Sequence, residues 1–311
     1  MAKILITESV HPIGPELLTA AGHTVVYANR DMDVIRREIV DADAVLVRII
    51  ELPGSLLATA KNLKIVSKHG VGYDNIDLDY CKSHGVAVTI TPNANSLSVA
   101  EHAFTLMLTL AKNIIPVSNE YRTVGFAAKN HAPGIEMTGK TLGLIGMGRI
   151  GKHILHMCKD GLDMHVIVYD PYISEVPEGV EKVDDLSELL RRADVVTLHC
   201  LLTDETRKLI DRERLALMKP TALLINCARG PIVDEAALIE ALENGRLAGA
   251  GLDVTDPEPV APDSPLFKLP NVIVTPHYAP TTVESATRVS KIAAENINAV
   301  LAGQESVGRI V

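Results

Sequence analysis

The stretch Lys140-Thr-Leu-Gly-Leu-Ile-Gly-Met-Gly-Arg-Ile-Gly151 reads as a buried strand, a glycine turn and the start of a helix. Its three glycines have distinct jobs. Gly146 permits the tight turn, Gly148 leaves no Cβ in the way of a pyrophosphate, and Gly151 lets the new helix pack closely on the strand. The N–H groups and positive dipole end of that helix then face the phosphates. A second apolar strand, His165-Val-Ile-Val-Tyr-Asp170, ends in a carboxylate 19 residues past Gly151. A carboxylate there accepts hydrogen bonds from a ribose 2′-OH and repels a 2′-phosphate, which favours NAD over NADP. Strand, helix and acidic strand end agree, so a dinucleotide site is predicted rather than an ordinary β-turn-α connection.

Upstream, short apolar runs alternate with helical patterns: Lys3–Ile6, His23–Tyr27, Ala44–Val47, Lys64–Ser67 and Val86–Thr89. Downstream the alternation resumes with Leu142–Ile145, Val166–Tyr169, Val195–His199, Leu223–Asn226, Gly249–Asp253 and Val272–Thr275. Such runs predict parallel sheets covered on both faces. The expected fold is α/β, two doubly wound parallel-sheet lobes of Rossmann or flavodoxin-like type with a cleft between them. An apolar helix from Ser98 to Lys112 and a last helix from about Val283 to Leu301 mark the crossings. The expected domains are 1–97 plus 285–311, binding substrate, and 98–284, binding NAD. Asn119–Asn130 reads as a more polar, arm-like stretch.

Composition narrows the class. The chain has 311 residues, 47% of them hydrophobic, which suffices for two sizeable cores. Its net charge of −9 and lack of a basic run speak against nucleic acid or an anionic membrane as partner. No apolar stretch is long enough to span a bilayer, and the N-terminus is a strand pattern rather than a signal peptide. Cys81, Cys158, Cys200 and Cys227 form no C-x-x-C pair and read as reduced, mostly buried thiols of a cytoplasmic protein, with no metal site expected.

Reducing a 2-keto acid needs a proton donor for the forming alkoxide and a cation near the carbonyl and carboxylate. Arg229 lies just past the strand Leu223–Asn226, where a guanidinium can bind a carboxylate and polarise the neighbouring carbonyl. His277 follows the strand in Val272-Ile-Val-Thr-Pro-His277, placed for proton exchange near neutral pH. Most of the 11 histidines must be structural or surface residues, His153, His156 and His165 among them. Glu258, in the turn-rich loop after Asp253, would favour the imidazolium of His277 and hold its tautomer. In the first lobe, the loop Lys68-His-Gly-Val-Gly-Tyr-Asp-Asn-Ile-Asp77 offers backbone N–H groups around Val71 and Gly72 to a carboxylate. Arg48, Lys68 and His69 are candidates to add positive charge, with solvated surface as their default.

Together these residues resemble the D-isomer-specific 2-hydroxyacid dehydrogenases over nearly the whole chain. The resemblance rests on Gly70–Asp77, Asn95–Glu101, Gly139–Gly151, Asn226–Gly230 and Thr275–His277, in that order. It is nearest the phosphoglycerate dehydrogenase branch, through Asn226-Cys-Ala-Arg-Gly-Pro-Ile-Val-Asp234 and Ser96–Glu101. The resemblance implies that Arg229 binds and polarises substrate, His277 is the general acid/base and Glu258 tunes it. It also implies cofactor contacts at Val71, Arg149, Ile150, Asp170, Cys200, Cys227, Ala228, Arg229, Asp253 and around His277, Ala279 and Pro280, and a homodimer through the NAD domain. Leu201 stands where the family usually has proline, and Pro280 where small residues are common. The regulatory extension found on many phosphoglycerate dehydrogenases does not follow Val311 in this sequence, which leaves feedback regulation by serine unsupported.

The expected activity is NAD-dependent interconversion of a short D-2-hydroxy acid and its 2-keto acid, with D-3-phosphoglycerate the first substrate candidate. Glyoxylate or hydroxypyruvate reduction is the alternative within the class. A rival outside it is an NAD(H)-binding sensor or scaffold like the related transcriptional corepressors.

Overall fold

The computed structural model describes all 311 residues, and the chain divides into two compact units, Met1–Asn95 with Pro280–Val311, and Ser96–Ala279. Both are parallel α/β sheets.

In the first unit five apolar runs become β1 (Lys3–Ile6), β2 (Thr24–Tyr27), β3 (Ala44–Val47), β4 (Ile65–Lys68) and β5 (Ala87–Thr89). They lie in the order β2-β1-β3-β4-β5, every pair parallel. Successive side chains point to opposite faces. Leu5, Val45, Val66 and Val88 therefore pack against Ile35, Ile39 and Leu57 on one face. Ile4, Ile6, Leu46 and Ile65 pack against Leu18, Ala293 and Ile297 on the other. Taking each such side chain out of water contributes about 1.5–3 kcal/mol. The last helix, Val283–Leu301, covers the second face. Thr282 caps it by accepting the Ser285 N–H, and the buried Ser67 hydroxyl donates to the Ala293 carbonyl at 3.0 Å.

The second unit holds β6 (Thr141–Ile145), β7 (His165–Tyr169), β8 (Val180–Lys182), β9 (Val195–Leu198), β10 (Leu223–Asn226), β11 (Gly249–Leu252) and β12 (Val272–Val274). Their order is β12-β11-β10-β9-β6-β7-β8, again all parallel. The chain runs outward from β6 to β8, then returns to β9 and runs the other way. The carboxyl ends of β6 and β9 thus form the switch point where such sheets bind ligands. One face is covered by the helices Ser96–Ala111 and Arg149–Leu162. The first of these crosses β11 very closely: a Cβ on Gly251 would stand 3.0 Å from that of Leu106, and one on Gly249 3.5 Å from Leu110.

Two elements differ from the sequence expectation. β8 is a polar edge strand that no apolar run announces. The arm-like stretch belongs to a helix, Ile114–Val124, followed by a 3-10 turn, Gly125–Asn130, and the helix buries none of its own residues.

Candidate active site

The glycine turn leaves β6 at the switch point. Gly146 has φ +89°, and a Cβ there would stand 2.8 Å from the Cys200 nitrogen at the end of β9. Gly151 approaches just as closely, with a Cβ position 2.3 Å from the Gly146 carbonyl oxygen. Gly148 is different. Its φ of −72° suits any residue, it is exposed, and a Cβ would meet nothing within 4 Å. Neither backbone nor packing demands glycine there, so the space above the turn fits the close approach of a phosphate. No side chain caps the helix Arg149–Leu162, which leaves its first N–H groups to an anion. Arg149 is exposed beside this opening and Ile150 half-buried.

Asp170, at the end of β7, accepts the Met147 N–H at 2.9 Å and the Tyr172 N–H at 3.0 Å, one on each oxygen. It ties the glycine turn to β7, and each oxygen keeps a lone pair for a further donor such as a ribose hydroxyl. These features fit a dinucleotide.

β10, β11 and β12 are neighbours, and their carboxyl ends deliver Arg229, Glu258 and His277 in turn. Asn226 shapes the first of these turns. Its side chain accepts the Ala228 N–H at 3.0 Å and donates to the Arg229 carbonyl at 2.9 Å. Gly230 then lets the turn press on the next one, since a Cβ there would fall 2.0 Å from the Thr255 carbonyl oxygen. Arg229 is half-buried, and its Nη1 donates to the Ala228 carbonyl at 2.8 Å. Cys227 and Ala228 are buried, and Cys200 is half-buried beside the glycine turn. Burial pushes the Cys200 thiol up to about 11 and Cys227 well above its ordinary value, so both are uncharged thiols at neutral pH.

His277 Nδ1 lies 2.7 Å from Glu258 Oε1, with each side chain about one-third exposed. An ionised carboxylate has no proton to give, so Nδ1 donates and Nε2 is left for another oxygen. His277 has φ +52°, a left-handed conformation that costs a non-glycine residue about 1–2 kcal/mol. Asp253 secures it. The His277 N–H donates to the Asp253 carbonyl at 2.8 Å, and the Asp253 carboxylate accepts the Tyr278 and Ala279 N–H groups at 2.7 and 2.9 Å. Asp253, expected among the cofactor contacts, is 1% exposed and turns its carboxylate onto this segment. Ala279 is buried and Pro280 half-buried.

The first unit corrects part of the sequence reading. Lys68 is not solvated surface but only 7% exposed, its ammonium donating to the Arg48 carbonyl at 2.6 Å and to Asn75. His69 is not a cation. Burial and the Arg48 guanidinium push it down to about 4, so its ring is neutral at pH 7, with Nε2 buried and lacking a hydrogen-bond partner. Arg48 is half-buried on a turn organised by a residue the sequence reading missed. Buried Glu8, at the end of β1, accepts the N–H groups of Arg48 at 2.7 Å and Ile49 at 2.8 Å. A carboxylate just past a strand was the available signal. Val71 and Gly72 are half-buried in the loop that follows β4.

No cluster of three or more His, Cys, Asp or Glu is placed to hold a metal ion, and no helix is long and apolar enough to cross a membrane.

The chain is similar to several known proteins. The chain is 42% identical over 308 residues to the D-3-phosphoglycerate dehydrogenase of Methanocaldococcus jannaschii, covering 98% of this chain and 58% of that protein. It spans little more than half the length of several such relatives. It is 38% identical over 317 residues to the glyoxylate reductase of Thermofilum pendens, covering 97% of this chain and 92% of that one. The crystal structure of D-lactate dehydrogenase from Aquifex aeolicus, complexed with NAD and lactic acid, superposes with a TM-score of 0.87 at 32% identity over 96% of each chain. Residues 104–279, which include the glycine turn and all three strand-end side chains, match the model of the D-isomer specific 2-hydroxyacid dehydrogenase NAD-binding domain, and the chain belongs to that family.

Proposed function

We propose that this chain interconverts a short D-2-hydroxy acid and its 2-keto acid with NAD(H). The observation that carries the reading is the 2.7 Å contact of His277 with Glu258, on the segments that follow adjacent parallel strands, with Arg229 after the neighbouring strand β10. A bound nicotinamide supplies or accepts the hydride. Arg229 binds the substrate carboxylate and polarises the C2 carbonyl. In reduction, His277 Nε2 gives its proton to the C2 oxygen; in oxidation it takes that proton back. Glu258 holds Nδ1–H throughout and stabilises the imidazolium. The Val71 and Gly72 N–H groups are proposed to hold the substrate carboxylate. Gly146, Gly148, Arg149, Ile150, Gly151 and Asp170 are proposed to line the dinucleotide, with Cys200, Cys227, Ala228, Ala279 and Pro280 around its nicotinamide half.

D-3-phosphoglycerate is the leading substrate, supported by the relatives of that name. One observation favours glyoxylate or hydroxypyruvate instead. Lys68 is turned inward and His69 is neutral, so only Arg48 of the three proposed cations is left to meet a phosphate. NADH oxidation against phosphohydroxypyruvate, hydroxypyruvate, glyoxylate and pyruvate tests the reading. Turnover of one or more supports an enzyme, and its preference selects the substrate. NADH binding without turnover of any would favour a sensor.

A homodimer through the NAD domain is supported by the helix Ile114–Val124, which buries nothing of its own and leaves Ile114, Ile115, Tyr121 and Val124 exposed, with Phe126 just beyond. A cytoplasmic setting is supported by four free cysteines.

A further inference from the structure

We propose that His102 is a positioning residue for His277, an inference that rests on the enzymatic reading above. His102 lies on the helix Ser96–Ala111, one turn before Leu106. The glycines of β11 bring that helix so close to the sheet that His102 arrives at the ends of β11 and β12.

Its Nε2 is 3.0 Å from Thr275 Oγ1 and 3.5 Å from Asp253 Oδ1. Proton accounting fixes the donors. Thr275 Oγ1 is 2.6 Å from Asp253 Oδ1, and its single proton goes to that carboxylate. Facing His102, the same hydroxyl oxygen can only accept, so His102 carries a proton on Nε2. The imidazole thereby fixes the hydroxyl that donates to the Asp253 carboxylate, itself only 1% exposed. The His102 ring also meets Tyr278 edge-on, with centroids 6.1 Å apart. The residues on both sides of His277 are thus held: Thr275 and Tyr278 touch His102, while Tyr278 and Ala279 donate to Asp253. His102 touches no reacting atom. It acts by keeping the left-handed His277 in register with Glu258.

The test compares His102→Leu with His102→Gln, whose amide can still donate to Thr275. Wild type is first assayed on the keto-acid panel. Absence of any turnover sinks the enzymatic reading itself, whereas the variants address His102 alone. His102→Leu is expected to lower kcat by about 10-fold or more, the usual cost of a displaced catalytic group, with NADH affinity little changed. His102→Gln is expected to recover most of that loss. In ligand-free wild type, ¹⁵N-resolved NMR of the imidazoles is expected to find His102 protonated on Nε2. The proposal is overturned by an unchanged kcat in His102→Leu, by equal losses in both variants, or by a His102 ring protonated on Nδ1 alone. Should His102→Leu fail to fold, Thr275→Val removes the same relay, and an unchanged kcat there overturns the proposal equally.

Discussion

His277 and Glu258 meet at 2.7 Å although 19 residues separate them, because β11 and β12 are neighbours and the two residues lie on the segments that follow them. The contact orients the ring so that Nδ1 is occupied and Nε2 is offered. Glu258→Gln keeps the size of the side chain and removes its charge. It is expected to lower kcat by about 10²-fold, the lower range for impaired acid–base catalysis, with NADH binding intact. Steady-state kinetics with parallel NADH fluorescence titration checks this. A normal kcat would mean that the carboxylate contact is structural.

The glycines of the turn separate ligand binding from folding. Gly148→Ala adds a methyl into open space and is expected to shift stability by no more than about 0.5 kcal/mol while weakening NADH binding. Gly151→Ala drives a methyl into the Gly146 carbonyl and is expected to destabilise by about 1–3 kcal/mol. Thermal unfolding and NADH titration of both variants check the contrast. Full NADH affinity in Gly148→Ala would move the phosphates elsewhere.

Asp170 carries the choice of cofactor. Asp170→Ala is expected to shift the NADH-to-NADPH ratio of kcat/KM toward NADPH by about 10-fold or more, the scale of one charge-assisted hydrogen bond. An unchanged ratio would remove the ribose from Asp170.

Two half-buried imidazoles are expected to make the fold acid-sensitive. Burial pushes His199 down to about 3, and burial with Arg48 pushes His69 down to about 4. Between the ordinary histidine value near 6.5 and these folded values, the unfolded chain binds more protons than the folded one. The stability they contribute is therefore complete above about pH 6.5 and is lost as pH falls through 4 and then 3. Urea unfolding at pH 7.5, 6 and 5 is expected to show a falling midpoint, and the double variant His69→Asn/His199→Asn a flatter dependence. An equal fall in both proteins would assign the acid sensitivity to other groups.

What could be read from the sequence followed from pattern. β6, its glycine turn and Asp170 lie in one unbroken segment, and Arg229 and His277 each follow an apolar run that fixes where the strand ends. Residues decided by distant partners could not be read in that way. Lys68 looks like a surface cation until Asn75 and the Arg48 carbonyl are beside it. Glu8 gains its role from backbone N–H groups some forty residues later. β8 is three residues, Val-Glu-Lys, at a sheet edge, too short for a period to register and with none of them fully buried.

In the proposed mechanism Arg229 acts on the substrate and His277 on its C2 oxygen within a cofactor-loaded site. The most direct measurement is reduction of the preferred keto acid at saturation by Arg229→Ala, with NADH affinity measured on the same preparation. The expected result is turnover lowered by about 100-fold or more, the scale of a lost electrostatic anchor, with NADH affinity within about threefold of wild type. Wild-type turnover from Arg229→Ala would contradict the account.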